Sequence, residues 1–245
     1  MYNLAAAHRS LKSLSLRNSM ALNDGSRLMS QTELTAAIDG LSAQCRIMRA
    51  VAKRTGTPEL RDYPANFSGL ARIVVGQQLS AASAGAIWVR VDAALKPFEA
   101  KAVIASDGAH LASLGLSGAK IRTLKAVAEA ADTGAVDFRK LNRLSDAAIH
   151  DALTGLHGIG PWTADIYLLF ALRRADAFAP GDLALQLAAQ RLFKLQHRPS
   201  PAELLKIAER WRPWRGAAAR LLWADYGLER AKPKKVSTRA KPQKD

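Results

Sequence analysis

The residues with the clearest chemical potential lie in one stretch, residues 145–191. Gly158 and Gly160 belong to a short turn, and Asp182 follows further along the chain, directly ahead of an apolar run. Free amide groups in a turn at the start of a helix bind anions such as phosphate. A buried carboxylate can stabilise positive charge that develops during a reaction. The stretch therefore predicts phosphate binding at the turn, followed by a carboxylate that could serve as a helix cap or in electrostatic catalysis.

Two helices must hold this turn in place. Ser145 is a suitable N-cap for a short helix through Leu153, and Pro161 can begin a second helix because proline is favoured at the first helical position. Glycine reaches backbone angles that other residues avoid, so the amides of Gly158 and Gly160 can approach a ligand closely. The pattern predicts a helix-hairpin-helix whose turn holds one phosphate of a nucleic-acid backbone.

Asp182 has two possible roles. The segment Pro180-Gly181-Asp182 ahead of an apolar run is typical of an ordinary helix N-cap, in which the carboxylate accepts first-turn amides. The same carboxylate could instead face a reacting sugar. Spacing alone favours the cap, and the two roles are compatible.

Composition favours a helical protein with a polyanionic partner. The chain has 245 residues, of which 49% are hydrophobic, and it contains no apolar run long enough to span a membrane. Its formal net charge of +15 is typical of nucleic-acid binding, although a solvated basic surface is the simpler alternative. Cys45 is the only cysteine, which excludes an internal disulfide and a four-cysteine iron–sulfur cluster, and the histidines show no zinc-ligand spacing.

Three regions differ in composition. We predict a poorly ordered N-terminal extension over residues 1–34, a helical domain over residues 35–230 and a disordered basic tail over residues 231–245. The extension is basic and poor in acids, which also fits a transit peptide. The central region holds 26 Lys and Arg against 18 Asp and Glu, so the predicted domain is itself basic.

Four segments together resemble the helix-hairpin-helix DNA glycosylases, and within them the alkylation-repair branch, 3-methyladenine DNA glycosylase II. They are Leu156–Ala164 (LHGIGPWTA), Ala179–Leu185 (APGDLAL), Val75–Ser80 (VGQQLS) and Trp211–Arg215 (WRPWR). The family's Gly-Pro-Asp signature appears here as Pro-Gly-Asp, with the carboxylate retained. The resemblance implies an all-α fold of two helical lobes, with a helix-hairpin-helix motif and the active site in the cleft between the lobes.

The resemblance also implies a role for particular residues in catalysis and base binding. Asp182 would be the catalytic carboxylate, and Trp162 and Trp223 would line the pocket for the flipped base, although both tryptophans could be structural. Gln78 would fill the gap in the base stack, because a planar amide can both stack and form hydrogen bonds. The simpler interpretation of Gln78 is a polar surface residue at a helix junction.

The DNA backbone would be bound by the hairpin and its surroundings. By resemblance, Gly158, Gly160, Thr163 and Lys120 would contact phosphates, although a lysine exposed by its periodicity, as Lys120 is, could be any surface lysine. The resemblance further implies a monovalent cation, Na⁺ or K⁺, on three backbone carbonyls of the hairpin. Those carbonyls belong to Thr154, Leu156 and Ile159.

These expectations combine into one function. The chain would flip alkylated bases of the 3-methyladenine and 7-methylguanine type out of double-stranded DNA and hydrolyse the N-glycosidic bond, in base excision repair. Relatives that also cut the strand place a lysine nucleophile where this chain has Trp162, so it would lack lyase activity. The alternative is a non-catalytic DNA-binding protein. We further expect a monomer with no required cofactor and no membrane association, in the cytoplasm (nucleoid-associated) of a bacterium or the nucleus or mitochondria of a eukaryote.

Overall fold

Helices make up most of residues 26–231, the part of the chain that this computed structural model describes. In chain order they are α1 Gln31–Gln44, α2 Arg46–Thr55, α3 Phe67–Gly76, α4 Ala81–Ala94, α5 Ala100–Ala105, α6 Gly108–Ser113, α7 Gly118–Asp132, α8 Phe138–Leu141, α9 Asp146–Thr154, α10 Pro161–Ile166, α11 Leu183–Leu192, α12 Pro201–Ala208 and α13 Arg215–Ala231. A π-helical turn, Tyr167–Ala171, continues α10, and a 3-10 turn, Glu209–Trp211, follows α12. The expected all-α class is confirmed, because residues 26–231 form only an isolated bridge between Arg27 and Arg174 and no strand.

Polar caps explain where several helices begin. The side chains of Asn66, Ser80 and Ser145 each accept a hydrogen bond from an amide in the first turn of α3, α4 and α9. Each cap satisfies one of the amides that a helix start leaves without a partner. The predicted cap at Ser145 is confirmed, and Pro161 begins α10 as expected.

The helices pack as two lobes. The first lobe contains α1, α2, α11, α12 and α13, so both ends of the described chain lie in it. The second lobe contains α3 to α7, α9, α10 and the π-helical turn. The hairpin helices α9 and α10 thus belong to one lobe and the helix that follows Asp182 to the other. None of the helices within residues 26–231 is long and apolar enough to cross a membrane.

The folded part begins before the predicted boundary at Thr35. Leu28 is fully buried, the backbone of Arg27 pairs with Arg174, and Ser30 caps α1 in a capping box with Glu33. Leu28 and Leu34 therefore anchor residues 26–34 in the core, although the other side chains of this polar segment are mostly exposed. Residues 1–25 and 232–245, which include most of the predicted extension and tail, lie outside the described part of the chain.

A buried ion-pair cluster fixes the helices of the first lobe relative to one another. Asp225 on α13 is fully buried and accepts hydrogen bonds from Arg54 on α2 and Arg191 on α11. A buried carboxylate needs such partners because desolvation is costly. The cluster therefore sets the position of α11, which Asp182 caps, against α13, which bears Trp223.

Candidate active site and DNA interface

The carboxylate of Asp182 is the point where the two lobes meet. Its Oδ1 accepts hydrogen bonds from the backbone amide of Leu185 (3.0 Å) and from Nε1 of Trp223 (3.0 Å). Its Oδ2 accepts a hydrogen bond from Nε1 of Trp162 at 2.9 Å. Asp182 therefore caps α11 and also faces the two tryptophans that the sequence assigns to the base pocket. The N-cap role is thus confirmed, and the role at a reacting sugar stays a prediction.

The surroundings of Asp182 suit an ionised carboxylate. An indole N–H and a backbone amide can only donate hydrogen bonds, so all three neighbours match an acceptor with no proton of its own. Trp162 comes from α10 in the second lobe, and Trp223 comes from α13 in the first. The loop ahead of Asp182 is also held, because the buried amide of Gln186 donates to the Pro180 carbonyl at 2.9 Å. The carboxylate is thus fixed in position from three elements.

An aromatic cluster extends from this carboxylate into the space between the lobes. The ring of Phe170 stacks on Trp223, with centroids 5.4 Å apart and an interplanar angle of 29°. The ring of Tyr63 lies 5.6 Å from Phe170, and its backbone amide donates to the Phe170 carbonyl at 3.3 Å. The guanidinium of Arg72 lies 4.3 Å from the centroid of Tyr63. Arginines therefore already lie over Tyr63 and Phe170, and the half-buried ring of Trp223 is the electron-rich face of the cluster that could attract a cationic base.

Sequence reasoning missed Phe170 and Tyr63. Phe170 belongs to the apolar run Tyr167–Ala171, which looks like plain core, and Tyr63 lies in an irregular segment ahead of α3. The π-helical geometry of Tyr167–Ala171 is often found at functional sites, but it has no sequence signature. Only the tertiary structure brings these rings to Trp223.

Arg220 places a buried positive charge against the same cluster. Its side chain is 3% exposed, donates to the carbonyls of Leu169 (2.6 Å) and Gly216 (2.8 Å), and lies 5.3 Å from the Phe170 centroid. Burial lowers the pKa of this guanidinium to about 10, so Arg220 stays charged at neutral pH. A lone arginine within the apolar run Ala217–Leu222 was the sequence signal for this residue.

The hairpin turn needs glycine at one of its two positions. Gly158 has a φ of +77°, and a Cβ atom there would lie 1.8 Å from Oγ1 of Thr123 on α7. Gly160 has a φ of −95° and open space around its Cα, so its backbone angles alone do not demand glycine. Within residues 26–231 the amides of Gly158 and Gly160 donate to no acceptor. These two N–H groups are available to an anion, and the predicted contact with phosphate stays a prediction.

Two predicted phosphate contacts do not fit this arrangement. Thr163 is 2% exposed, its hydroxyl accepts a hydrogen bond from Gln77, and its amide donates to the Gly160 carbonyl. Lys120 was expected to be exposed, but its Nζ donates to the Val75 carbonyl at 2.8 Å, and partial burial lowers its pKa. Both side chains form hydrogen bonds within the protein, Thr163 with Gln77 and Lys120 with the Val75 carbonyl.

The predicted plug, Gln78, is exposed on a tight turn between α3 and α4. Its φ of +57° lies in the left-handed region, which a residue other than glycine adopts only at a cost. The two residues that follow it are also exposed, with Leu79 at 40% exposure. The neighbouring Gln77 points the other way, and its Nε2 donates to the Gly158 carbonyl (3.2 Å) and to Oγ1 of Thr163 (2.9 Å).

Of the three carbonyls expected to hold a monovalent cation, one already accepts a backbone hydrogen bond. The Leu156 carbonyl accepts a hydrogen bond from the Ile159 amide at 3.1 Å. Among the described residues outside the helices, no backbone amide donates to the carbonyl of Thr154 or of Ile159. Carbonyl oxygens are suitable ligands for a hard cation, so the donor set fits Na⁺ or K⁺. Within residues 26–231, no group of three His, Cys, Asp or Glu side chains could hold another metal.

Comparison with known proteins agrees with this geometry. Residues 71–213 match the family model described as HhH-GPD superfamily base excision DNA repair protein. The chain is 33% identical over 181 residues to DNA-3-methyladenine glycosylase 1 of Schizosaccharomyces pombe, which covers 69% of this chain and 78% of the relative.

Solved structures show the same fold. The Schizosaccharomyces pombe 3-methyladenine DNA glycosylase in complex with abasic DNA superposes with a TM-score of 0.70 at 29% identity, over 76% of this chain and 94% of that one. A DNA-3-methyladenine glycosidase from Bacillus halodurans superposes with a TM-score of 0.66 at 27% identity, over 79% and 90% of the two chains.

Proposed function

The chain belongs to the HhH-GPD superfamily of base excision DNA repair proteins, and we propose that it is a monofunctional DNA glycosylase that removes alkylated bases from duplex DNA. The observation that carries this proposal is the carboxylate of Asp182, held by Trp162 from one lobe and Trp223 from the other. DNA binding alone requires no such carboxylate.

Hydrolysis of an N-glycosidic bond develops positive charge on the deoxyribose as the base departs. The bond breaks with its electron pair moving to the base, water adds its oxygen to the anomeric carbon, and one proton is released. Asp182 stabilises the oxocarbenium-like state and either orients or deprotonates the water. Electrostatic groups of this kind contribute about 3–4 kcal/mol to barrier lowering in other enzymes.

The aromatic cluster favours a cationic leaving base. N3- and N7-alkylated purines bear formal positive charge, and the half-buried ring of Trp223 attracts such cations by about 0.5–2 kcal/mol. A cationic purine also leaves as a neutral base, so no acid is needed to protonate it. The cluster accordingly supports a substrate class of alkylated purines, such as 3-methyladenine and 7-methylguanine.

The hairpin and the exposed turn provide the remaining parts of the reaction. The free amides of Gly158 and Gly160 hold one phosphate beside the lesion, and Gln78 enters the space that the flipped base leaves. Extruding a base costs a few kcal/mol, so a residue that fills the gap lowers the cost of the open state. The chemistry needs no cofactor, and Na⁺ or K⁺ on the Thr154, Leu156 and Ile159 carbonyls would support the turn.

The same geometry argues against strand cleavage. Trp162 occupies the position that a lysine nucleophile takes in relatives with lyase activity, and an indole cannot form a Schiff base with the sugar. Its N–H is instead engaged by Asp182. The product would be an intact strand with an abasic site.

The proposed function is tested by incubating the protein, as a monomer, with duplex DNA treated with a methylating agent and measuring each released base by chromatography. Release of 3-methyladenine and 7-methylguanine is the expected result. Binding to the duplex without release of any base would instead favour the rival function, a non-catalytic DNA-binding protein that uses the hairpin for phosphate contacts alone.

A further inference from the structure

We propose that Gln77 is a positioning residue that couples the phosphate-binding hairpin to the plug residue Gln78. The proposal rests on the function proposed above, in which Gln78 enters the DNA stack. Gln77 touches neither base nor sugar in this account. It acts by holding the turn that bears Gln78 against the turn that holds the phosphate.

Hydrogen bonds from one side chain carry the coupling. Nε2 of Gln77 donates to the Gly158 carbonyl at 3.2 Å and to Oγ1 of Thr163 at 2.9 Å. Gly158 lies in the phosphate-binding turn, and Thr163 lies in the first turn of α10. Within the described residues, no other side chain of residues 77–80 forms a hydrogen bond to the hairpin. The next residue along the chain is the plug itself.

Contacts with α7 hold the end of α3, just ahead of Gln77, at a fixed position relative to the hairpin. Nζ of Lys120 on α7 donates to the Val75 carbonyl at the end of α3, at 2.8 Å. Thr123, one turn further along α7, packs against Gly158 so closely that no side chain would fit there. One helix therefore contacts both the end of α3 and the hairpin, which keeps the two turns at a fixed separation.

The conformation of Gln78 explains why a brace is required. Its φ of +57° is strained for a residue with a Cβ atom, and its side chain is exposed, so the plug conformation gains little from its own contacts. A strained residue persists only when its surroundings determine its conformation. Gln77 supplies that constraint from the hairpin side, so a turn docked on phosphate also presents Gln78 to the stack.

The test is a replacement that keeps the shape of Gln77 and removes its donors, Gln77→Met. The readout is the fluorescence of 2-aminopurine opposite an abasic-site analogue in a duplex, which rises when the base is unstacked and needs no catalysis. We expect Gln77→Met to reduce the fluorescence change at saturating protein and to slow base release about tenfold, with little change in affinity for undamaged duplex or in its salt dependence. Thr163→Val, which removes one of the two acceptors, should give a smaller effect of the same kind.

A double-mutant cycle with Gln78→Ala separates coupling from simple destabilisation. If Gln77 acts through Gln78, Gln77→Met should cause less than a twofold further loss once Gln78 is alanine. Independent losses that multiply, or a fall in melting temperature and in affinity for every duplex, would overturn the proposal. If the wild-type protein changes the fluorescence but releases no base, only the proposed glycosylase activity is contradicted. If the wild-type protein binds the duplex without changing the fluorescence, the proposed role of Gln77 is contradicted.

Discussion

Trp223 joins the carboxylate to the aromatic cluster, because its indole N–H donates to Oδ1 of Asp182 at 3.0 Å while its ring stacks on Phe170 at 5.4 Å. One side chain thereby aligns the carboxylate proposed to stabilise the sugar with the rings proposed to receive the base. A base stacked on this cluster would leave its sugar close to Asp182. The two halves of the proposed site are connected through a single residue on α13.

Trp223→Phe should separate these two contributions. The phenyl ring keeps an aromatic face, but the hydrogen bond to Asp182 is lost. Because hydrogen bonds to charged groups contribute about 1.5–3 kcal/mol, we expect kcat for base release to fall about tenfold to a hundredfold, with a smaller change in KM. Trp214→Phe is the matched control, since Nε1 of Trp214 has no acceptor among the described residues. Equal effects of the two replacements would argue against a role for the bond to Asp182.

The product of the reaction should be an unbroken abasic strand. With Trp162 in place of a lysine nucleophile, no covalent intermediate with the sugar is expected, and the strand should break only after treatment with alkali. Denaturing gels before and after alkali measure this directly. Trapping of a protein–DNA adduct with borohydride would show that another amine attacks the sugar.

Gln78→Ala should affect well-paired lesions more than mispaired ones. The replacement leaves the hairpin amides intact but removes the side chain proposed to fill the opened stack. Since extrusion costs least for a base that is already poorly paired, loss of the plug should slow excision most opposite the correct partner. Single-turnover rates on matched and mismatched duplexes provide the measurement. Equal losses on both, or none, would identify Gln78 as a surface residue only.

Asp165 should make stability depend on pH. Burial raises the pKa of this carboxyl to about 7 from 3.8, against an opposing effect of Arg215, and Oδ1 lies 3.9 Å from Nε2 of His150. The folded state thus holds the proton more tightly than the unfolded state, so this contribution is complete below about pH 4 and is lost as pH rises through about 7. Relative to Asp165→Asn, the wild-type free energy of unfolding should fall by about 1–3 kcal/mol between pH 4 and pH 8. If the free energies of unfolding of the two proteins differ by the same amount at every pH, the prediction is contradicted.

Local sequence patterns were sufficient where a single segment determines the structure. The cap at Ser145, the helix start at Pro161 and the position of Asp182 ahead of α11 follow from residue types within one turn of helix. The direction of a side chain depends on neighbours distant in sequence. For this reason the helical periodicity predicts an exposed Lys120, whereas its Nζ donates to the Val75 carbonyl at the end of α3.

The parts of the site that sequence missed all depend on tertiary contacts. Phe170 and Tyr63 meet only because a loop ahead of α3 crosses the π-helical turn. Arg220 can be buried because carbonyls of Leu169 and Gly216 accept its hydrogen bonds. No periodicity within one segment reports the contacts of Phe170 and Tyr63, whereas the lone charge of Arg220 in an apolar run is a signal that one segment does contain.

The replacement Asp182→Asn tests the central claim most directly. Asparagine retains the size of the side chain and an oxygen that can cap α11, but it is uncharged and offers an N–H group to one of the two indoles. We expect base release from methylated duplex DNA to fall at least a hundredfold, which corresponds to about 2.7 kcal/mol or more of lost transition-state stabilisation, while affinity for the duplex persists. Release within about tenfold of the wild-type rate would contradict the account, because Asp182 would then serve only as the N-cap of its helix.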